Sequence, residues 1–268
     1  IMIDIHCHIL PGLDDGAHTE AEALDMARIA ADDGITDIVC TPHYLPGLYS
    51  AGPHTIQAAV CSLQDSLSAA GIAVTLHAGM EIHVSAADPE DLVLGKLQAL
   101  NAAGNAVLIE FPHQFIPPNM DTLFWSFLSQ GILPVLAHVE RYPALFSEPS
   151  LLEKWVHMGV MTQVTASSIL GRFGPEVENF AWRLMENNLA HILATDAHSP
   201  DFRKPQLSPA AAAIEERLGL DAAQDMVQRR PQALLQGKSI DLPAPMPLTE
   251  LESHSGFIRR ILGWVGKY

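Results

Sequence analysis

Short apolar runs recur along the chain, separated by stretches whose apolar residues repeat at helical spacing. The runs predict seven strands, at Met2–Ile5, Thr36–Cys40, Ile72–His77, Ala106–Glu110, Leu133–His138, Val160–Val164 and His191–Thr195. The intervening pattern predicts a first helix capped by Thr19 and stopped at Gly34, then helices at about 55–70, 92–100, 119–130, 151–158 and 175–187. Two more come after the last strand, at about 208–218 and 221–229. Strands alternating with helices give parallel βαβ units, and near-continuous apolar strands belong to a sheet covered on both faces. Seven such units predict an α/β fold of the closed or nearly closed (β/α) barrel type.

The residues at the strand ends turn this fold into a candidate site. The first strand leads into His6 and His8, which at period two point to one side of an extended backbone. The others lead to His43, Glu81, Glu110, His138, and Asp196 with His198. Asp14 or Asp15, in the loop after the first strand, can reach the same rim. Only the sixth strand ends without such a residue. In a β/α barrel the C-terminal strand ends share one rim, where active sites lie. One polar residue at one strand end is ordinary; only His, Asp and Glu at six of about seven point to a pocket of about nine nitrogen and oxygen ligands. That is too many for one ion. Two or three divalent ions are expected, with a carboxylate such as Glu81 bridging a pair, and the mixed donor set suits Mn, Fe or Zn.

Two arginines, Arg141 and Arg203, follow these ligands in the same loops, and guanidinium recognises phosphate bidentately. The alternative for each is a local carboxylate, Glu140 or Asp201. Taken with the metals, they predict phosphate-ester hydrolysis by a metal-bridging hydroxide, with charge neutralised by ions and arginines. His113 is a candidate proton donor.

Composition narrows the function further. The net charge of -16, from 15 basic and 31 acidic residues, repels phosphate backbones and argues against nucleic acid as a partner and against a nuclease. There is no apolar run of transmembrane length and no recognisable leader, so a cytoplasmic location is expected. Three scattered cysteines, Cys7, Cys40 and Cys61, form no disulfide framework. A cysteine-based tyrosine phosphatase would need an arginine six residues after its nucleophile; those positions hold Leu13, Pro46 and Leu67, which excludes that mechanism.

The combination of Asp4-Ile5-His6-Cys7-His8, Thr41-Pro42-His43, Glu81, His138 and Asp196-Ala197-His198 resembles the polymerase-and-histidinol-phosphatase (PHP) superfamily. Within it, the strings IDIHCHILPGLDDGA, TPHY, LIEFP, PVLAHVERYPAL and ATDAHSPDFR resemble the metal-dependent tyrosine phosphatases of bacterial capsular and exopolysaccharide operons. The resemblance spans residues 3 to about 235. It implies a distorted (β/α)7 barrel with three metals, typically Mn2+. One ion would be held by His6, His8, Glu81 and Asp196, a second by Glu81, Glu110 and His138, and a third by Asp15, His43 and His198, with Arg141 and Arg203 on the phosphate. The implied substrate is phosphotyrosine in the tail of a partner tyrosine kinase that controls polysaccharide assembly. Cys7 stands where the family often has a small residue. The rival readings are a small-molecule phosphatase, such as one acting on histidinol phosphate, and a non-catalytic binder of the kinase tail.

The expected division is a barrel over residues 1–237, a proline-rich linker over 238–249, and a terminal amphipathic helix over 250–268. That helix would lie on a membrane surface, dock a partner, or pack on the barrel or a second subunit.

Overall fold

Every strand pairing is parallel, as βαβ connection requires. The computed structural model describes residues 1–248. The strands are β1 Met2–Cys7, β2 Ile35–Cys40, β3 His43–Tyr44, β4 Thr75–Ala78, β5 Glu81–His83, β6 Ala106–Glu110, β7 Leu133–Leu136, β8 Met161–Thr165 and β9 Ile192–Ala194. They form one sheet in the order β1-β2-β4 and a second in the order β3-β5-β6-β7-β8-β9. Two staves are interrupted ones. Pro42 separates β2 from β3, and Gly79-Met80 separates β4 from β5; the backbone bonds Gly79 N to Cys40 O (2.9 Å) and Glu81 N to Pro42 O (3.1 Å) carry the pairing across the breaks. A Cβ on Gly79 would lie 2.5 Å from Val39 Cγ1, so the crossing needs glycine. At the far edge, β9 returns to β1: Asp196 N donates to His6 O (2.8 Å) and His8 N donates to Ala197 O (2.9 Å). Counted this way there are seven staves in a distorted (β/α)7 barrel.

The helices that cover it include α1 Glu20–Asp33, α2 Pro53–Ala69, α3 Pro89–Val93, α4 Met120–Leu128, α5 Pro143–Ser147, α6 Pro149–Met158, α7 Ala166–Ile169, α8 Pro175–Glu186 and α9 Ser208–Leu218. Thr19 caps α1 by accepting from Glu22 N, and Gly34 ends it at φ 91°. The helix expected at 92–100 instead begins at Pro89, because Asp88 accepts from Glu90 N and caps it earlier, and Gly95 ends the turn. The helix expected at 221–229 is divided into α10 Leu220–Gln224 and a π turn at Asp225–Arg229, leading into α11 Arg230–Leu235.

Alternation along the strands sorts the apolar residues into two clusters. Ile3, Ile5, Val39, Leu108, Val135 and Ala194 belong to a cluster inside the barrel, while Cys7, Ile38, Ile109, Leu136 and Leu193 join the helices outside. Residues 238–248 have no regular secondary structure, yet they are held to the barrel. Ile240 and Leu242 pack under the inner cluster, Met246 N donates to Asn187 O (2.9 Å), and Leu248 N donates to Glu153 Oε1 (2.7 Å). The terminal helix expected over 250–268 lies outside the described residues. No described helix is long and apolar enough to cross a membrane.

Candidate metal centre

The first strand could not deliver its histidines by alternation alone. Ile3 and Ile5 already face the barrel interior, so in a regular strand His6 and His8 would face the helices. The pairing shows how this is avoided. Asp4 pairs with Ile38 and Cys7 with Cys40, so three steps on β1 match two on β2. This bulge reverses the facing of the residues after it. His6 and His8 turn inward, and Cys7 goes out into the helix-packed core, away from the site. On β7 the same problem has a different solution: Ala137 is the last inward residue, and His138 at φ 35° bends the backbone so that its ring reaches Glu81. Asp196 also adopts a left-handed conformation, φ 51°. Non-glycine residues held there are strained, and such strain gathers at functional sites.

The side chains converge closely. His6, His8, Glu81 and Asp196 form one group able to hold an ion; His8, Asp15, His43 and His198 form a second; His43, Glu81 and Glu110 form a third. All nine residues expected at the metals from the sequence are therefore brought to one rim. The first group equals the set implied by the family resemblance. In the others His8 and His43 take part more widely than that resemblance implies, and His138 stands beside them with Nε2 2.9 Å from Glu81 Oε1.

Two observations show that these residues fit divalent cations. Glu81 Oε2 is buried without a hydrogen bond, although His6 Nε2 (3.2 Å), His8 Nε2 (3.2 Å) and His43 Nδ1 (3.0 Å) surround it. A carboxylate oxygen so placed has lost water and gained no donor, a costly state unless a cation is shared there. The second observation is the outward side of the rings. His6 Nδ1 meets Gln163 Oε1 (3.0 Å), His8 Nδ1 meets Asp14 Oδ2 (2.6 Å), and His198 Nδ1 meets the Asp196 carbonyl (3.0 Å). Each acceptor holds the Nδ1 proton and leaves the Nε2 lone pair for the site, as metal-binding histidines require. His6 Nε2 and His8 Nε2 are 3.1 Å apart and aim at one point.

Sequence reading missed two of these supports. Asp14 stands behind His8 and also accepts from Gly16 N (2.9 Å) and His43 N (2.9 Å), leaving Asp15 to face His43 and His198. Gly16 must approach closely: a Cβ there would lie 2.1 Å from His8 O. Gln163 accepts from His6 and from His138 N (3.1 Å), and so ties two ligands together from the stave that lacks one. Its signal was its place two residues after the inward Met161.

The charges are arranged to hold cations. Burial would raise the carboxylic acids of Glu81 and Asp196, but the imidazoles around them, with Arg203 at Asp196, hold both well below the usual range. Burial would lower His43, yet Glu81 and Glu110 hold it up at about 10. Burial, then Arg141, brings His138 down to about 4, so it is neutral. His113, whose ring centroid is 6.1 Å from that of His138, is also lowered by burial and then by Arg141; it belongs to none of the ligand groups.

Neither arginine takes the local carboxylate that the sequence offered. Arg141 and Arg203 both bind Asp196 Oδ2, the former at 2.5 Å, and Arg141 also lies over the Phe173 ring at 4.9 Å. Glu140 is instead buried, accepting from Thr165 N (2.9 Å), Thr165 Oγ1 (2.7 Å) and Ser168 Oγ (2.6 Å). The site thus has a buried ligand floor and a partly open rim, where Asp15, His43, Glu110 and both arginines meet solvent.

The sequence profile of the family described as "Capsular polysaccharide synthesis, CpsB/CapC" matches residues 2–236. The tyrosine-protein phosphatase YwqE of Bacillus subtilis is 36% identical over 247 residues, 92% of this chain and 96% of that protein. The tyrosine-protein phosphatase CpsB of Streptococcus agalactiae serotype V is 30% identical and is covered over its full length, by 89% of this chain. Among solved structures, one from work on YwqE of Bacillus subtilis and CpsB of Streptococcus pneumoniae, described as unique metal-dependent tyrosine phosphatases, superposes with a TM-score of 0.88 at 34% identity, over 93% of this chain and 100% of that one. A β-aspartyl dipeptidase of Fervidobacterium islandicum, TM-score 0.53 at 14% identity over 91% of this chain and 75% of that one, shares the fold alone. The chain belongs to the CpsB/CapC family.

Proposed function

We propose that this protein is a metal-dependent protein-tyrosine phosphatase that removes phosphate from phosphotyrosine. The observation that carries the reading is Asp196. Its Oδ1 lies 3.3 Å from His6 Nε2 and 3.4 Å from His8 Nε2, while Oδ2 holds Arg141 and Arg203. One carboxylate therefore ties a cation site to two guanidinium groups, the pairing that a phosphoryl group needs. His6, His8, Glu81 and Asp196 would hold one ion; Glu81, Glu110 and His138 would hold a second; Asp15, His43 and His198 would hold a third. Manganese is the metal proposed. When bound, the ions supply Lewis-acid activation of water and of the phosphoryl group.

The chain's own residues do the rest. Arg141 and Arg203 take the outer phosphate oxygens and neutralise charge as it develops. Gln163 and Asp14 fix the ring tautomers of His6 and His8. A phenolate leaving group needs little protonation, which suits a rim where the neutral His113 and His138 are poor proton donors. The alternatives fit less well. A small-molecule phosphatase would close over its substrate, whereas this rim leaves Asp15 half exposed, and a non-catalytic binder would not need a complete ligand set. The partner proposed is the tail of a tyrosine kinase in polysaccharide assembly, in the cytoplasm. The proposed division is a catalytic barrel over 1–237 and a proline-rich segment over 238–249, with residues 250–268 proposed to contact a membrane surface or another subunit.

The test compares phosphate release by manganese-loaded protein from a phosphotyrosine peptide and from histidinol phosphate. Preference for the peptide is expected; preference for histidinol phosphate would move the protein to the small-molecule branch.

A further inference from the structure

In a chain with 31 acidic and 15 basic residues, a cation without a carboxylate partner is unusual. Surface cations such as Arg28, Lys96 and Lys154 sit on neighbouring carboxylates. Arg172, Lys204 and Lys238 do not: among the described residues none of the three makes an ion pair, and Arg172 and Lys204 belong to the loops of the site. Both stand beside the phosphate arginines. Arg172 Nη1 donates to the Phe202 carbonyl at 3.4 Å, joining the loop after α7 to the loop that carries Arg203. Its neighbour Phe173 lies under the Arg141 guanidinium. Lys204 follows Arg203 directly, and its side chain makes no hydrogen bond among the described residues. Phe202, whose carbonyl Arg172 holds and which stands two residues before Lys204, is 79% exposed, a large ring left in water next to Arg203 in the chain.

A cation without a carboxylate partner keeps its attraction for an anion from solution, and Arg172 and Lys204 do so although Asp201 stands in the same loop. The exposed ring offers apolar contact to a neighbouring side chain, which a peptide has and a free anion lacks. We propose that Arg172 and Lys204 form a second anion subsite. It selects phosphotyrosine peptides that carry another anionic group nearby, a carboxylate or a second phosphoryl group, with Phe202 against the residue between. The subsite rests on the phosphotyrosine reading of the metal centre.

The test uses three phosphotyrosine peptides, with neutral flanks, with glutamate flanks and with a second phosphotyrosine, on the manganese-loaded full chain. Turnover is measured alongside the Kd of matching peptides in which a non-hydrolysable phosphonate replaces the phosphate. Wild type should favour one or both anionic peptides by about fivefold, the scale of an exposed charge pair, and the preference should shrink at high salt. Which peptide is favoured identifies the anion. R172A/K204A should lose the preference and keep the neutral peptide within about twofold. K204A alone should lose part of it, which separates lost charge from a loosened Arg203 loop. Equal binding of all three peptides by wild type, or a preference that survives in the double variant, overturns the subsite. Preferential binding that depends on Arg172 and Lys204, without hydrolysis of any peptide, would keep the subsite and sink the phosphatase reading.

Discussion

Asp196 Oδ2 receives Arg141 Nη1 at 2.5 Å, while the other oxygen of the same carboxylate lies 3.3 Å from His6 Nε2. A single side chain therefore sets the distance between the charge proposed to bind phosphate and the nitrogen proposed to bind metal. Removing one guanidinium leaves the cations in place but loosens the phosphate. Arg203→Ala should lower kcat/KM for a phosphotyrosine peptide by about 10- to 100-fold, the scale of a charge-assisted hydrogen bond, with bound metal unchanged. Steady-state kinetics with metal analysis checks this; an unchanged kcat/KM removes Arg203 from the site.

Gln163 acts one step further out. Its Oε1 accepts from the His6 ring and the His138 backbone. Gln163→Leu should weaken metal binding by about 10- to 100-fold, as losing an orienting partner does. Gln163→Glu, which keeps the acceptor, should restore most of it. Metal titration of the two variants separates these outcomes, and equal affinity in both would show that the acceptor does not matter.

Protons compete with the metals. Glu81 and Glu110 hold His43 at about 10 against its ordinary 6.5, and His6 and His8 are raised as well. Ligation needs neutral imidazole, so loading at pH 7 must release protons, and apparent affinity should rise with pH. The sign for folding is the reverse. A histidine whose folded pKa is raised contributes stability that is fully present below pH 6.5 and is lost as pH rises towards about 10. Metal-free protein should therefore lose thermal stability over that window. Calorimetric titration in buffers of different ionisation enthalpy counts the protons; no release would contradict a protonated His43 in the metal-free protein.

Gly16 has no room for a side chain, with His8 O 2.1 Å from an added Cβ. Gly16→Ala must push the Asp14-Asp15 loop away from His8, at a cost of about 1–3 kcal/mol. The expected result is a lower Tm together with weaker metal binding; full retention of both would mean that the loop adapts freely.

These residues also show what the sequence could and could not reveal. Glu110 sits where alternation along β6 puts it, inward after Ala106 and Leu108, so counting by two finds it. His6 and His138 do not. One needs a bulge in β1, the other a left-handed turn after β7, and neither leaves a local mark such as glycine. Their chemistry was legible because histidine at a strand end is informative, but the backbone device that aims it was not. The breaks at Pro42 and Gly79 are not read from the apolar pattern, which gives one strand for each of these staves. The sequence offers Asp14 only as an alternative to Asp15; its supporting role, like that of Gln163, depends on which ring atom it meets, a relation across 6 and 157 residues respectively. The proline-rich segment read as a linker by composition; Ile240 and Leu242 hold it under the barrel through contacts that composition does not carry.

The central claim is that phosphate leaves phosphotyrosine through a cation site built on Glu81. The most direct measurement is phosphate release from a phosphotyrosine peptide by metal-stripped protein re-supplied with manganese, run beside Glu81→Gln with bound metal quantified in both. Wild type should bind two or three ions and turn over only when loaded; Glu81→Gln should keep its fold, bind fewer ions and lose at least about 100-fold in kcat. Turnover by stripped protein, or a well-folded Glu81→Gln variant with near-normal kcat, would contradict it.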